Sequence, residues 1–356
     1  MKFQISKHDL VAALGPVAKA LPVRPPVPVL SGVRIAAEDA RVEFAGFDYD
    51  TSARVTVGAD VEVPGTVIVS GRLLADIAKA LPAGTIRFWV DGSRVRVEAG
   101  AAKFTLLSMP VDEYPPLPVL PEKVGDIAER VFARIVAQAV VAASKDQTLP
   151  LMTNVRVRAV DGVLSMTATD RYRLAVAEAE WGGPDFEALV PAHVLADVAK
   201  SLAGDVSVAV GERVVGFSSN GQTVTSGVAD GDYPPVDRLF PEDFLVRATV
   251  DRRALDDAVR RAALVAERYT PVKLTFSEEA LTVDAGQGDD SQATETLAAE
   301  SPDEIVTAYN PQFLLDGLNA IEGETAKFSF TEPMKPAVLT GADGFRYLLM
   351  PIRFGA

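Results

Sequence analysis

The chain has 356 residues, enough for two or three folded domains and too many for one ordinary core. Hydrophobic residues make up 48% of it and charged residues 24%, and no apolar stretch is long enough to predict a signal peptide or a membrane span. The lack of cysteine excludes disulfides, thiolate metal sites and cysteine nucleophiles, and it favours the cytoplasm. The net charge of −14 argues against a protein that binds nucleic acid through overall positive charge.

The first third of the chain alternates helical and strand patterns. Apolar residues recur at helical spacing over Lys7–Ala20 and again over Val69–Leu81, where a short apolar run comes first. Ile86–Glu98 alternates apolar and polar residues around Asp91-Gly92, a pattern that predicts a β-hairpin. The proline-rich segment Tyr114–Pro121 predicts a connector between domains.

The rest of the chain repeats this order. Asn154–Thr169 predicts a second hairpin around Asp161-Gly162, and Tyr233–Pro241 predicts a second connector. Four more helices are predicted, at Phe132–Ser144, Val190–Leu202, Asp251–Ala266 and Tyr309–Ile321.

Several landmarks recur in one register. Tyr114–Pro116 returns 119 residues later as Tyr233–Pro235, and Phe104–Pro110 returns 241 residues later as Phe345–Pro351. The second helices align at offsets of 121 and 119 on Leu74, Leu195 and Leu314. The repeat is about the size of a domain. We therefore predict an α+β fold of three similar domains, each with two helices packed on antiparallel sheets, at residues 1–118, 127–243 and 244–356.

Basic residues are spaced regularly on the predicted helices. Arg72 and Lys79 are seven residues apart, Lys200 repeats the position of Lys79, and Arg253 and Arg260 are also seven apart. Acidic residues share the same helices. The pattern fits an ordinary solvated face, and it equally fits a sparse positive lining that meets DNA phosphates. No signature predicts base readout or single-strand binding.

Four segments resemble a known family: Tyr114–Pro118 (YPPLP), Ala168–Ala175 (ATDRYRLA), Tyr309–Leu315 (YNPQFLL) and Tyr347–Arg353 (YLLMPIR). Over essentially its whole length the chain resembles the bacterial DNA polymerase III beta subunit, the sliding clamp. The resemblance implies a head-to-tail homodimer that closes into a ring, with a continuous outer sheet and helices around a central hole. A ring holds DNA by topology, so only its inner face needs positive charge.

The resemblance also implies one peptide-binding pocket per subunit, between the second and third domains, for partner tails with a short, glutamine-led hydrophobic motif. Leu174, Leu239 and Met350 would line a slot for a leucine or aromatic anchor, and Arg173 and Asn310 would orient the peptide. For any one residue the alternative is a core position in a strand. The implied pocket residues are Met152, Thr169, Arg171, Tyr172, Arg173, Leu174, Pro234, Arg238, Leu239, Tyr269, Asn310, Phe313, Pro336, Leu348, Met350, Pro351 and Arg353.

Two further surfaces follow from the resemblance. The dimer contact would join Phe104 and Leu106 of one subunit to Leu264 of the other, with packing inside one domain as the alternative. The DNA contacts would be Arg24, Arg72, Lys79 and Lys200, with solvated side chains as the alternative. The implied partners are a second copy, double-stranded DNA, the catalytic subunit of the replicative polymerase, the clamp loader and other proteins with the motif. No cofactor, metal or membrane is implied.

The chain departs from the family in places. Gln147–Leu151 (QTLPL) replaces a loop that carries DNA-contacting tyrosines in some relatives, so no such contact is expected there. The alignment around Pro336 is loose. Changes near the pocket fit ordinary divergence, and they also fit a specialised second-copy clamp with altered partner or inhibitor binding.

Motifs for catalysis are missing from the sequence. Gly-Lys, His-Glu-x-x-His and Gly-x-Ser-x-Gly do not occur. Asp48 and Asp50 form the best carboxylate pair for the remaining alternative, a metal-dependent hydrolase or nuclease. Asp48 occupies the same repeat position as Asp170, however, which favours a role in a turn. We therefore expect a protein that is not an enzyme.

Overall fold

The structure is a computed structural model that describes residues 1–266, 270–286 and 291–353. The chain divides into two compact units, Met1–Phe132 with Asp197–Val228 and Ala133–Ala196 with Ala229–Ala356. Within the described residues, one unit holds a 13-stranded sheet and the other a 12-stranded sheet, and every strand pair in both is antiparallel. The middle repeat contributes four strands to each sheet.

The three repeats follow one another along the chain. The elements of the first are β1 (Lys2–Ser6), α1 (Lys7–Lys19), β2 (Gly32–Glu38), β3 (Arg41–Phe47), β4 (Thr51–Gly58), β5 (Asp60–Val63), β6 (Gly65–Ser70), α2 (Gly71–Ala80), β7 (Thr85–Asp91), β8 (Arg94–Ala99) and β9 (Ala102–Met109). Those of the second are β10 (Lys123–Ile127), α3 (Glu129–Val140), β11 (Asn154–Val160), β12 (Val163–Thr169), β13 (Arg173–Glu180), β14 (Phe186–Pro191), α4 (Ala192–Ser201), β15 (Val206–Val210), β16 (Val214–Ser219) and β17 (Gln222–Gly227). Those of the third are β18 (Val246–Asp251), α5 (Arg252–Ala263), β19 (Val272–Ser277), β20 (Ala280–Ala285), β21 (Ala293–Glu300), β22 (Ile305–Tyr309), α6 (Pro311–Ala320), β23 (Thr325–Phe330), β24 (Ala337–Thr340) and β25 (Arg346–Leu349).

The predicted fold class is confirmed: two helices and a set of antiparallel strands recur three times in the described chain. The first helix of each repeat buries an apolar stripe at the same helical spacing. The buried stripe residues are Leu10, Ala13, Leu14 and Val17 in α1, Phe132, Ile135, Val136 and Ala139 in α3, and Leu255, Ala258, Val259 and Ala262 in α5.

The predicted helix ends were wrong by a few residues. Val69 and Ser70 belong to β6 and Tyr309 belongs to β22, so the apolar run before each second helix is a strand. Three helices, α1, α5 and α6, begin where a side chain caps free backbone N–H groups, whereas Ser70 before α2 makes no such bond. Asn310 Oδ1 accepts from the backbone N–H groups of Gln312 and Phe313, at 2.9 and 3.2 Å. Asp251 caps α5 through the Ala254 N–H at 2.7 Å.

Both predicted hairpins are confirmed. Asp161 and Gly162 connect β11 to β12 with φ of 50° and 79°, the left-handed conformation that a two-residue hairpin turn needs. Gly92, with φ of 57°, lies in the turn between β7 and β8. No described helix is long and apolar enough to cross a membrane.

Adjacent repeats are joined by the same strand pairing twice. In one unit β4 pairs with β17, and Ser52 faces Thr225. In the other unit β13 pairs with β25, and Leu174 faces Leu348. We call these pairings the first and the second junction. The strands at the corresponding places in the outer repeats are β21 and β9.

Candidate functional site

The turn between β12 and β13 projects side chains at the second junction. Asp170 Oδ1 accepts from the backbone N–H groups of Tyr172 and Arg173, at 3.0 and 3.1 Å. Thr169 Oγ1 donates to the Arg173 carbonyl at 2.7 Å and accepts from the Arg171 N–H at 3.1 Å. Arg171 has φ of 79°, and the turn leaves the Tyr172 side chain 58% exposed. Thr169 therefore shapes this turn from a buried position.

A buried apolar cluster lies behind this turn. Its members are Leu174, Val176, Leu189, Tyr233, Val236 and Leu348, with Leu151, Ala229 and Phe240 packed against it. The Tyr233 hydroxyl accepts from the Thr169 N–H at 3.0 Å, which ties the turn to the cluster. Burial raises the pKa of Tyr233 to about 12, so this hydroxyl stays neutral. Large apolar side chains at Tyr172, Leu239 and Met350 stay exposed, although each lies close in sequence to a cluster member. Buried leucines with exposed apolar neighbours form a surface suited to an apolar ligand group.

Arg173 points away from solvent, and its side chain is only 6% exposed. Its Nε donates to Asp170 Oδ2 at 2.9 Å, and its Nη1 donates to Asp316 Oδ2 at 2.5 Å. The guanidinium carbon lies 4.1 Å from the centre of the Phe313 ring. Burial alone would lower the pKa of Arg173, but Tyr347, Asp316 and Asp170 hold it above its usual value. The guanidinium is therefore charged and paired.

A cavity of about 350 Å³ lies beside this ion pair. Tyr172, Phe313, Asp316, Lys145 and Leu149 are among its lining residues. The rings of Tyr172 and Phe313 lie 6.4 Å apart between centroids, and the Tyr347 hydroxyl donates to the Phe313 carbonyl at 2.8 Å. The turn, the start of α6 and β25 thus meet at one place in this unit.

The structure brings part of the predicted pocket together. Thr169, Leu174 and Leu348 lie in or against the apolar cluster. Arg173 forms the ion pairs with Asp170 and Asp316, and Phe313 and Tyr172 lie beside them. Asn310 is the N-cap of α6, and Met152 lies in a short helix at Pro150–Thr153. Exposed positions are held by Arg171, Arg238, Leu239, Met350 and Arg353, and half-buried positions by Pro234, Pro336 and Pro351. Tyr269 lies outside the described residues.

Sequence reasoning missed the acidic partners of Arg173. Asp316 lies in a helical segment whose pattern predicts only that its leucines are buried, and the sequence around Asp170 predicts only a turn, so neither pattern indicates an ion pair with Arg173. Tyr233 was visible as part of a repeated Tyr-Pro-Pro, but nothing local shows that its hydroxyl reaches Thr169, which is 64 residues away.

The predicted DNA-contacting residues are exposed in the first unit. Arg24 and Lys200 are exposed, Arg72 contacts only the Pro22 carbonyl at 3.5 Å among the hydrogen bonds described, and Lys79 lies 3.9 Å from Asp76. Closer ion pairs neutralise other helix cations. Those closer pairs are Lys19 with Asp197 at 2.7 Å, Arg260 with Asp256 at 2.6 Å and Arg261 with Glu295 at 2.6 Å. The four predicted cations thus remain more available to an anion.

The predicted dimer residues differ in exposure. Leu264 is 84% exposed just after α5, and Phe104 is exposed on β9. Leu106 is only 4% exposed because it points into its own unit, whereas Leu107, on the other face of the strand, is 71% exposed. Leu73 on α2 is a further exposed leucine that the sequence did not single out. The exposed apolar side chains of β9 are therefore Phe104, on the same face as Leu106, and Leu107, on the opposite face.

Family models of three consecutive domains match the chain. The N-terminal, central and C-terminal domains of the DNA polymerase III beta subunit match residues 1–118, 126–235 and 237–353. The chain belongs to the DNA polymerase III beta subunit family. The family resemblance read from the sequence is thereby confirmed.

Relatives cover the whole chain. The beta sliding clamp of Streptomyces coelicolor is 43% identical over 99% of both chains. The beta sliding clamp homolog GriR of Streptomyces muensis is 41% identical over 99% of this chain and 100% of that one. The crystal structure of the DNA polymerase sliding clamp from Bacillus subtilis covers 100% of both chains with a TM-score of 0.94 at 28% identity.

Asp48, one of the two carboxylates of the predicted metal-site alternative, stabilises a turn. Asp48 Oδ1 accepts from the backbone N–H groups of Asp50 and Thr51, at 3.0 and 2.6 Å. Asp48 thus closes the turn between β3 and β4, as Asp170 closes its own turn. In the described part of the chain, no group of three or more His, Cys, Asp or Glu side chains is placed to hold a metal ion.

Proposed function

We propose that this chain is a DNA sliding clamp, which encircles duplex DNA and tethers the replicative polymerase and other DNA-processing proteins. The observation that carries the proposal is membership of the DNA polymerase III beta subunit family across all three domains. Such a protein acts by raising the effective concentration of its partners at DNA and needs no chemistry of its own. The chain would act in the cytoplasm, where its lack of cysteine suits the reducing conditions.

Unpaired strand edges support a head-to-tail homodimer. Among the described strands, β21 pairs with β18 only at Thr249–Val250, and β9 pairs with β6 only at Ile68–Val69. One edge is therefore open along most of each strand. In the first two repeats, the strands that correspond to β21 are β4 and β13. Each of them pairs with a strand that corresponds to β9, namely β17 or β25. By the same rule, the open edge of β21 in one copy would pair with the open edge of β9 in a second copy.

The internal repeat also predicts the register of that pairing. When the three repeats are aligned by strand pairing, Thr294 takes the place of Arg54 and Val176, and Lys103 takes the place of Thr223 and Arg346. This places Phe104 with Tyr347, two residues beyond its match in the sequence repeat, because the loops before β25 are longer. Arg54 faces Thr223, and Val176 faces Arg346. Thr294 of one subunit would therefore face Lys103 of the other. The next pair would join Ala293 to Phe104 and bury the exposed Phe104 ring, as Val224 and Tyr347 are buried in the two junctions.

A cysteine pair tests this register, because the chain contains no other cysteine. The variant Lys103→Cys/Thr294→Cys should form disulfide-linked dimers on mild oxidation, since facing residues in a sheet bring their Cβ atoms within disulfide range. Lys103→Cys/Ala298→Cys is the mismatched control and should stay monomeric on a denaturing gel. Equal cross-linking by both variants would contradict the proposed register.

The four exposed cations Arg24, Arg72, Lys79 and Lys200 are proposed to line the inner face and contact phosphates. Scattered contacts of this kind hold a duplex weakly and without sequence preference, which allows sliding. The buried leucines of the second junction and the exposed Tyr172, Leu239 and Met350 around them are proposed to bind partner peptides. The remaining pocket residues predicted from the sequence, including Pro336 and Arg353, belong to this same proposal.

Encirclement is tested by topology. The protein is incubated with a clamp loader, ATP and nicked circular plasmid, and half of the sample is then linearised before gel filtration. A clamp stays with the circle and is lost from the linear DNA, because it slides off the free ends. Equal retention on both would contradict encirclement and indicate ordinary affinity for DNA.

A further inference from the structure

We propose that Arg173 is a positioning residue of the pocket: its buried guanidinium fixes Tyr172 and Phe313 at the pocket rim and does not donate to a bound peptide. This inference rests on the proposed peptide-binding function. It departs from the expectation that Arg173 orients the peptide directly.

The contacts of the guanidinium show why direct donation is disfavoured. Nε is held by Asp170 and Nη1 by Asp316, and one face is covered by the Phe313 ring. Among the described hydrogen bonds only Nη2 has no partner, and the side chain is 6% exposed, so little of the guanidinium is left for a peptide acceptor unless it replaces a charge-assisted bond at Nε or Nη1. Removing such a bond costs more than a neutral peptide oxygen returns.

The first junction serves as an internal control. Its turn has the same hydrogen bonds, with Asp48 accepting from Asp50 and Thr51, but Thr51 stands where the second junction has Arg173. The turn therefore closes without an arginine. At the helix position that corresponds to Asp316, Asp197 pairs with Lys19 instead, at 2.7 Å. The guanidinium at the second junction is thus not required for the turn, and another role explains its burial.

That role follows from what the guanidinium connects. Arg173 leaves the turn next to Tyr172, reaches Asp316 on the first turns of α6, and lies under Phe313 on the same helix. Its Nη1 also lies 3.4 Å from the Tyr347 hydroxyl, which donates to the Phe313 carbonyl. One buried cation thus sets the distance between the turn and the helix. The 6.4 Å separation of the Tyr172 and Phe313 rings depends on it.

Asp316→Asn separates positioning from direct donation by the sign of its effect. The variant keeps the shape of the side chain and removes the charge that holds the guanidinium. If Arg173 positions the rim, a fluorescein-labelled Gln-Leu-Ala-Leu-Phe peptide should bind about tenfold more weakly in fluorescence anisotropy. If Arg173 were a direct donor, its release would leave the affinity unchanged or raise it. Either of those results overturns the inference.

Arg173→Lys provides a second test, because an ammonium cannot serve both carboxylates with a planar fork. We expect about a tenfold loss of peptide affinity here too, with a cooperative thermal transition retained; unchanged affinity would contradict positioning. The matched control is Asp197→Asn, which breaks the equivalent ion pair in the first unit and should leave peptide binding within about twofold of the wild type.

If the wild-type chain does not bind the peptide, both the proposed pocket and this inference are wrong. If it binds and Asp316→Asn binds equally well, only the inference falls.

Discussion

The two junctions share a backbone design and differ in the side chains it carries. In each junction an aspartate closes the turn: Asp48 in the first and Asp170 in the second. The backbone carbonyl of the residue two positions later then accepts a hydrogen bond from the neighbouring chain segment. Gly227 N–H donates to the Asp50 carbonyl at 2.8 Å, and Met350 N–H donates to the Tyr172 carbonyl at 2.9 Å. The turn is therefore specified by the aspartate and the strand pairing, which leaves the other positions free to change.

The side chains at these variable positions differ between the first junction and the second, which contains the candidate pocket. Ser52 and Thr225 face each other in the first junction, fully buried, with their hydroxyl oxygens 2.6 Å apart. The second junction has Leu174 and Leu348 there, and exposed Tyr172 and Met350 where the first has Asp50 and Gly227. A satisfied polar pair offers nothing to an apolar ligand, whereas the leucines do. This difference is the reason why we propose a peptide pocket at the second junction and not at the first.

Exchanging the facing pair is the most disruptive test of this comparison. Leu174→Ser with Leu348→Thr gives the second junction the side chains of the first. We expect peptide affinity to fall at least about 100-fold, because each leucine of the pocket floor is expected to contribute about 2 kcal/mol to peptide binding. The same changes should lower the free energy of unfolding, since losing a buried leucine costs about 2–5 kcal/mol. Anisotropy measures the affinity, and a thermal melt establishes that the variant is folded. A folded variant that kept its affinity would show that the leucines do not form the pocket floor. Leu174→Ala alone should weaken binding in the same direction.

The helices behind the junctions give the second test. Gly317 on α6 allows the Tyr347 ring to lie close, since an added Cβ would be 2.5 Å from two of its ring carbons. In the first junction, Val198 on α4 corresponds to Gly317 and Val224 corresponds to Tyr347. The first junction thus has a larger helix residue and a smaller strand residue than the second.

Gly317→Ala should therefore destabilise the protein by about 1–3 kcal/mol and weaken peptide binding, because it displaces Tyr347. Gly58→Ala at the end of β4 is the control: an added Cβ there meets nothing within 4 Å, so the variant should be more stable by about 0.4–1 kcal/mol. Chemical denaturation measures both values. A neutral Gly317→Ala would mean that the ring can move without cost.

Much of this fold could be predicted because its signals are local. The hairpins at Asp91-Gly92 and Asp161-Gly162 and the three repeated helix pairs depend on patterns within short windows. The helix starts could not be placed as well, because strand residues such as Val69 and Tyr309 continue the apolar periodicity of the helix that follows. Only strand pairing decides where the helix begins.

The candidate site was less predictable, because it depends on contacts across long stretches of chain. Arg173 and Asp316 are 143 residues apart, and no local pattern joins them. Because alternate residues of a strand point to opposite faces, Leu106 and Leu107 on β9 must face opposite ways. Which of the two faces the core depends on how the sheet packs, and the sequence of the strand does not show it. Residue types were thus readable from the sequence, whereas the partners of buried charges were not.

A third test changes the rim without touching the buried cluster. Tyr172→Asp places the residue of the first junction, Asp50, at the exposed tip of the turn. We expect peptide affinity to fall about fivefold, because one partly exposed aromatic contact of about 1 kcal/mol is lost. The melting temperature should stay the same, since the side chain is 58% exposed. Tyr49→Ala, at the tip of the other turn, is the control, and an equal loss of affinity in both variants would contradict the assignment of Tyr172 to the rim.

The smallest effect is expected where the comparison is reversed in the first junction. Ser52→Ala with Thr225→Val removes both hydroxyls of the buried pair while nearly preserving shape, so no unpaired polar group remains from it. We expect the free energy of unfolding to change by less than about 1 kcal/mol and peptide affinity to stay the same. Ser52→Ala alone leaves the Thr225 hydroxyl without this partner and should cost about 1–3 kcal/mol. A double variant as unstable as the single one would show that the hydroxyl pair holds β4 and β17 together. A double variant that gained a second peptide site would show that polarity alone keeps the first junction closed.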